Sequence, residues 1–255
     1  MRYTSELVVA REAAEAGGVA ALERFRRSIG IKRKPDSSPV TEADFASEAA
    51  ILRRILQAFP SDGFLCEESG EKAGSSGRRW IIDPLDGTRA FLRGLPHWGV
   101  LVALEVEGRV EAGVANFPAA EAMYAAATGE GCTRNGKAIR CSDASSLAEA
   151  TVQLGEISSI AALDPALFDG ILRSGAVLRS YGDAYAGCLV LEGRSDAWIE
   201  ATARAWDLAP FASLAREAGA VFTDWSGEES IDRGTGLLAP PALHRAIREL
   251  MTLRG

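Results

Sequence analysis

The rhythm of apolar and polar positions changes along the chain, and each change predicts an element. Over residues 4–28 small or apolar side chains recur at Leu7, Ala10, Ala14, Gly18, Ala21 and Phe25, with Arg and Glu between them, the period of an amphipathic helix. Gly17-Gly18 lowers helix propensity inside that pattern, which predicts a close contact there with another helix or another subunit. The basic stretch Ile31–Pro39, interrupted by Pro and Ser, predicts a loop in which Lys34 is best placed to meet an anion. Thr41-Glu42-Ala43-Asp44 has the form of a capping box, opening a helix whose buried face is predicted to be Phe45, Ala49, Leu52, Leu56 and Phe59.

Strand patterns follow. Phe64–Cys66 and Trp80–Ile82 are short apolar runs on either side of a polar loop at 71–78. Trp98–Glu105 and Val110–Phe117 alternate around Glu107-Gly108, Ala122–Ala127 continues the series, and Asn135-Gly136 marks a last hairpin, so a meander is predicted. The small, polar stretch Ser142–Ala148 divides the chain into an N-terminal α+β half, residues 1–145, and a C-terminal α/β half, residues 146–255. In the second half strands at 150–154, 176–181, 196–200 and 220–225 alternate with helices at 164–174, 183–192, 208–218 and 240–253.

Composition narrows the function. With 255 residues, 47% apolar and 25% charged, the chain has the material for one large core or two small ones. A net charge of −7 argues against nucleic acid as a partner, and no apolar run reaches the roughly 18 residues of a membrane span, so the expected location is the cytoplasm. Cys66, Cys132, Cys141 and Cys188 lie far apart without a Cys-x-x-Cys pair, and His97 and His244 are isolated; all six are expected to pack rather than bind metal.

The chemistry concentrates in Asp83-Pro84-Leu85-Asp86-Gly87-Thr88. Two carboxylates on one tight turn repel each other unless a cation lies between them, and Gly87-Thr88, opening a helix, offers free N–H groups to an anion. Asp44, Glu67 and Asp207 also stand at starts or ends of predicted elements. Each has an ordinary use as a cap or turn residue, but five acids together suit hard Mg²⁺, which takes oxygen ligands.

Asp83–Thr88, with Glu67-Glu68 upstream and Trp206-Asp207 downstream, resembles the inositol monophosphatase family of Mg²⁺-dependent, lithium-sensitive phosphatases. The resemblance implies a layered αβαβα sandwich, commonly dimeric, that hydrolyses a small phosphate ester with two or three Mg²⁺ ions. It implies that Glu67, Asp83 and the Leu85 carbonyl hold one ion, that Asp83, Asp86 and Asp207 hold a second, and that a third lies near Glu67. Asp44 and Thr88 would activate water, while Gly87 and Thr88 would bind phosphate. Thr88-Arg89-Ala90-Phe91 and Tyr181-Gly182-Asp183-Ala184-Tyr185 resemble the bacterial histidinol-phosphate phosphatases of the family, which makes Arg89, Asp183 and Glu200 candidate substrate contacts. Ala203-Arg204-Ala205-Trp206 and Leu154-Gly155-Glu156 depart from that subgroup. The alternatives are an inositol-1-monophosphatase, a nucleotide-type (phosphoadenosine phosphate) phosphatase, and a non-catalytic metal- or phosphate-binding regulator.

Overall fold

A computed structural model describes residues 2–27, 30–34 and 39–252. Helix α1, Thr4–Leu22, is followed by a two-stranded antiparallel ribbon, β1 (Ile31–Arg33) with β2 (Pro39–Thr41), and by helix α2, Glu42–Ala58. The basic segment is therefore a hairpin arm rather than a plain loop; its residues 35–38 lie outside the described residues.

The large sheet contains β3 (Gly63–Cys66), β4 (Gly70–Lys72), β5 (Arg78–Asp86), β6 (Gly99–Val106), β7 (Arg109–Phe117), β8 (Ala122–Ala127), β9 (Cys132–Arg134) and β10 (Lys137–Ala138). Their spatial order is β10-β9-β8-β7-β6-β5-β3-β4, antiparallel throughout except for the parallel pair β3 and β5. The start of the predicted loop at 71–78 pairs as β4, and the short helix α3, Thr88–Leu92, follows β5.

The second sheet has the order β12-β11-β13-β15-β14, from β11 (Thr151–Leu154), β12 (Val177–Arg179), β13 (Ala197–Ala201), β14 (Val221–Thr223) and β15 (Thr235–Ala239). Its helices are α4 (Ile157–Leu163), α5 (Pro165–Arg173), α6 (Asp183–Leu191), α7 (Ala205–Ala218) and α8 (Pro241–Thr252). Leu253, in the predicted last helix, lies outside the described residues. Sequence reading missed α4 and β15: Ile157–Leu163 is only two turns long, and β15 carries two adjacent leucines after Gly236 without alternation.

Strand alternation sorts the core into layers. Trp80, Ile82, Val100 and Val102 face α1 and α2, meeting Val9, Ala13, Ile51 and Ile55. Ile81, Leu101 and Ala115 face the other way, onto Cys188, Phe211 and Leu214 of α6 and α7, which also touch Trp198, Phe222 and Leu238 of the second sheet. On the far side of that sheet Val152, Ile199 and Leu237 pack under Ile160, Ile171 and Ile247 of α4, α5 and α8. The sequence of layers is helix, sheet, helix, sheet, helix, as the resemblance implies.

Two details place the site. A Cβ on Gly17 would come within 2.7 Å of Ile51 and Ser47, and one on Gly18 within 2.7 Å of Asn116 Nδ2, so the glycines let α1 close onto α2 and β7. The second detail corrects the predicted face of α2 at its first turns, whereas Leu52, Leu56 and Phe59 do pack against the core. Phe45 is 50% exposed and Ala49 also faces solvent, while Ala43, Asp44, Ser47, Glu48, Ile51 and Ile55 are buried. Ser47 Oγ donates to the Pro84 carbonyl at 2.7 Å, and Glu48 Oε2 accepts from the Glu68 amide at 3.0 Å. The inward stripe is polar because it braces the two acidic turns, and its partners satisfy it.

Candidate active site

The end of β5 is irregular. Its register against β6 breaks between Asp83 and Asp86. In a regular strand residues three apart point to opposite faces; the break lets both acids enter one cleft of about 250 Å³. Asp207 reaches it from the first turn of α7, and one carboxylate oxygen each from Asp83, Asp86 and Asp207 lies within 4.8 Å of the others.

Each carboxylate is oriented by a backbone amide. Leu85 N donates to Asp83 Oδ1 at 2.9 Å, Ala184 N to Asp86 Oδ2 at 3.1 Å, and Arg204 N to Asp207 Oδ2 at 2.7 Å. Asp207 thus bonds back to its N-cap while still joining the cluster. Among the described residues none of the three forms an ion pair. Burial, then Glu67 and Asp207, holds Asp83 well above the ordinary carboxylate range; burial, then Asp183 and Asp207, does the same for Asp86. Burial pushes Asp207 up to about 6. Without a cationic partner among the described residues, all-oxygen and convergent, with Asp83 and Asp86 buried and Asp207 half-buried, this donor set fits a hard divalent cation.

Glu67 follows β3, whose Cys66 pairs with Ile82, so parallel pairing carries Glu67 alongside Asp83. Glu67 lines the cleft, but its carboxylate is not part of the converging trio: Lys34 Nζ donates to Glu67 Oε1 at 2.7 Å and to Glu68 Oε1 at 2.6 Å. Partial burial works against the Lys34 charge, yet the two glutamates prevail and hold its pKa above the ordinary lysine value. For Glu68 burial prevails over the same bond and pushes it up to about 7.

Asp44 lies behind the turn. Its Oδ2 accepts from Thr41 N at 2.8 Å and Thr41 Oγ1 at 2.7 Å, completing the capping box, while Oδ1 faces Thr88 Oγ1. Burial raises the Asp44 pKa despite those bonds. Gly87, at φ 75°, takes the left-handed turn into α3, and a Cβ there would stand 3.0 Å from the His97 carbonyl.

The facing wall carries Asp183, Glu200, Glu156, Arg89 and Trp198. Asp183 is the first residue of α6, after the N-cap Gly182, and its carboxylate is held by its own backbone amide while lining the cleft. Burial pushes Glu200 up to about 8, and desolvation among the cleft walls raises Asp183 although solvent still reaches its side chain. Arg89 approaches Glu156 at 3.6 Å at the exposed rim. Sequence reading missed the bracing by Ser47 and Glu48 and the wall residue Trp198; the signal available for the last was that it stands two positions from Glu200, on one face of β13.

The four cysteines are free and buried. His97 stacks on Tyr185, and His244 bonds to Thr223 at 2.9 Å; neither belongs to the acidic cluster.

The model of the inositol monophosphatase family matches residues 3–252. A histidinol-phosphatase of Chlorobaculum parvum is 39% identical over 240 residues, 92% of each chain. The Nus factor SuhB of Pasteurella multocida is 34% identical over 250 residues, covering 96% of this chain and 93% of that one. Among solved structures, the extragenic suppressor protein suhB from Bartonella henselae has a TM-score of 0.92 at 27% identity, covering 99% of this chain and all of that one.

Proposed function

The chain belongs to the inositol monophosphatase family, a family of metal-dependent phosphatases, and is a phosphoric monoester hydrolase; from that premise we propose that it hydrolyses L-histidinol phosphate with Mg²⁺. Asp83, Asp86 and Asp207, with Glu67 and the Leu85 carbonyl, would hold two or three ions. Bound Mg²⁺ supplies positive charge that polarises the phosphoryl group and acidifies water.

The chain's own residues do the rest. Gly87 and Thr88 amides hold phosphate oxygens. Thr88 and Asp44 orient the attacking water and take its proton; burial makes Asp44 a better acceptor than an ordinary aspartate. The new P–O bond forms in line as the ester P–O bond breaks, and the leaving alkoxide is protonated from solvent, with no covalent phosphoenzyme. Phosphomonoester hydrolysis needs on the order of 20 kcal/mol of barrier lowering, and general-base assistance supplies about 3–5 of it, so positioning and charge must supply the remainder.

The observation that carries the substrate reading is the pair of carboxylates beyond the metal cluster, Asp183 and Glu200, with Glu200 only 7% exposed. An ester whose other end carries an ammonium and an imidazole neutralises such a wall. The histidinol-phosphatase relative supports the same reading. Inositol 1-phosphate is the second reading, because carboxylates also accept hydrogen bonds from ring hydroxyls. Phosphate release from the two esters, side by side, separates them: at least about tenfold higher kcat/KM for histidinol phosphate, about 1.4 kcal/mol in the transition state, supports the first, and the reverse order moves the enzyme to inositol esters. A homodimer fits the family resemblance, and light scattering at twice the 27.0 kDa chain mass tests it. Among the described residues no helix is long and apolar enough to cross a membrane.

A further inference from the structure

Gly155 ends the run of β11 directly behind Glu200. A Cβ built there would lie 1.9 Å from Glu200 Oε2 and 2.3 Å from its Cδ and Oε1, well inside any real contact. The φ of Gly155 is outside the left-handed region, so the backbone itself does not call for glycine. Its amide continues the ladder to β13, donating to the Ile199 carbonyl at 2.9 Å, which fixes the distance between the two strands. Within that fixed gap Glu200 Oε1 accepts from Ala201 N at 2.9 Å and from Glu156 N at 3.3 Å. The carboxylate therefore occupies the volume that any side chain at position 155 would take. Gly155 does not line the cleft, whereas Glu200 does.

We propose that Gly155 is a positioning residue for ester selection: by lacking a side chain it lets the Glu200 carboxylate lie back between the Ala201 and Glu156 amides and face the end of the ester remote from phosphorus. The proposal rests on the reading of Glu200 as a contact for that end. It makes selection depend on a residue that touches no substrate. Because the clashing atoms are the tip of a flexible side chain, an alanine at 155 is accommodated by swinging the carboxylate out of place, with the loss of its two amide bonds, rather than by moving β11.

The test is Gly155→Ala, assayed for kcat and KM on histidinol phosphate and on myo-inositol 1-phosphate, alone and combined with Glu200→Ala. The expected result is a KM for the ammonium ester raised about tenfold, with a smaller rise for the neutral ester and kcat altered less than about twofold. In the Glu200→Ala background the same glycine substitution should add nothing, since the group it displaces is already gone. Losses that simply multiply would overturn the proposal. Glu200→Asp, one methylene shorter, should withdraw from the new Cβ and restore part of the lost selection in Gly155→Ala; no restoration counts against it. If Gly155→Ala proves unstable, the thermal midpoint of Gly155→Ala/Glu200→Asp reads the same contact, recovery supporting the proposal and its absence overturning it. A wild type without preference for the ammonium ester would remove the substrate reading, while non-additivity between positions 155 and 200 on whichever ester is hydrolysed would still decide this proposal.

Discussion

Thr88 Oγ1 stands 3.4 Å from Asp44 Oδ1 and 3.2 Å from the Leu85 carbonyl oxygen, linking the first turn of α3 to the first turn of α2. The hydroxyl has one proton and two acceptors. When it donates to Leu85, Asp44 Oδ1 is free to receive a proton from water; when it donates to Asp44, its own lone pairs face the cleft.

Removing either partner should therefore slow chemistry more than it loosens the fold. Thr88→Val is expected to lower kcat by about 10²-fold or more, with an unchanged urea midpoint. Asp44→Asn should show a similar kinetic loss plus about 1 kcal/mol of destabilisation from the weakened capping box. A variant of either residue with full kcat would remove the pair from the reaction.

Crowded acids make the metal-free protein sensitive to pH. Asp83, Asp86, Asp207, Glu68 and Glu200 all bind protons more tightly folded than unfolded, so folding takes up protons. The stability these five acids contribute is fully present below the unfolded carboxylate value of about 4 and is lost as pH rises. The loss extends through about 6 for Asp207, about 7 for Glu68 and about 8 for Glu200. Thermal midpoints in EDTA should fall by several degrees over this window and flatten when Mg²⁺ is added; an EDTA profile that rises toward pH 8 would contradict the assignment.

Lys34 is bonded to Glu67, one of the carboxylates proposed to hold a metal ion. Lys34→Gln should free that carboxylate and lower the Mg²⁺ concentration for half-maximal activity by a few-fold, in the direction expected for removing a positive charge beside a cation site. An increase instead would mean that Lys34 supports the metal-loaded site.

Asp183, at the start of α6, lines the cleft. Asp183→Asn should raise KM for histidinol phosphate more than for a neutral ester, and equal effects on both would take Asp183 out of substrate choice.

Much of this was legible in the sequence because local rules suffice for it. Thr41–Asp44 is a capping box on paper and in the fold, and the Asn135-Gly136 hairpin follows from turn chemistry. The αβαβα layering came instead from the family resemblance. What escaped depends on tertiary placement. The predicted face of α2 holds at Leu52, Leu56 and Phe59 but fails at Phe45 and Ala49, because the fold turns Ser47 and Glu48 inward to brace turns 37 and 20 residues away. Lys34 does meet anions, but they are the protein's own Glu67 and Glu68, a pairing that no local pattern names. The steric dependence of Glu200 on Gly155 joins neighbouring strands and leaves no mark in local periodicity.

The cluster of Asp83, Asp86 and Asp207 is proposed to hold the Mg²⁺ on which hydrolysis depends. The most direct test is phosphate release from histidinol phosphate and myo-inositol 1-phosphate by wild type and Asp83→Asn across Mg²⁺ concentrations, with Mg²⁺ binding followed by calorimetry on the same proteins. The expected result is Mg²⁺-dependent turnover in the wild type, abolished by EDTA, and a folded Asp83→Asn protein that loses both binding and turnover. Near-normal activity in Asp83→Asn, or turnover that persists in EDTA, would contradict it.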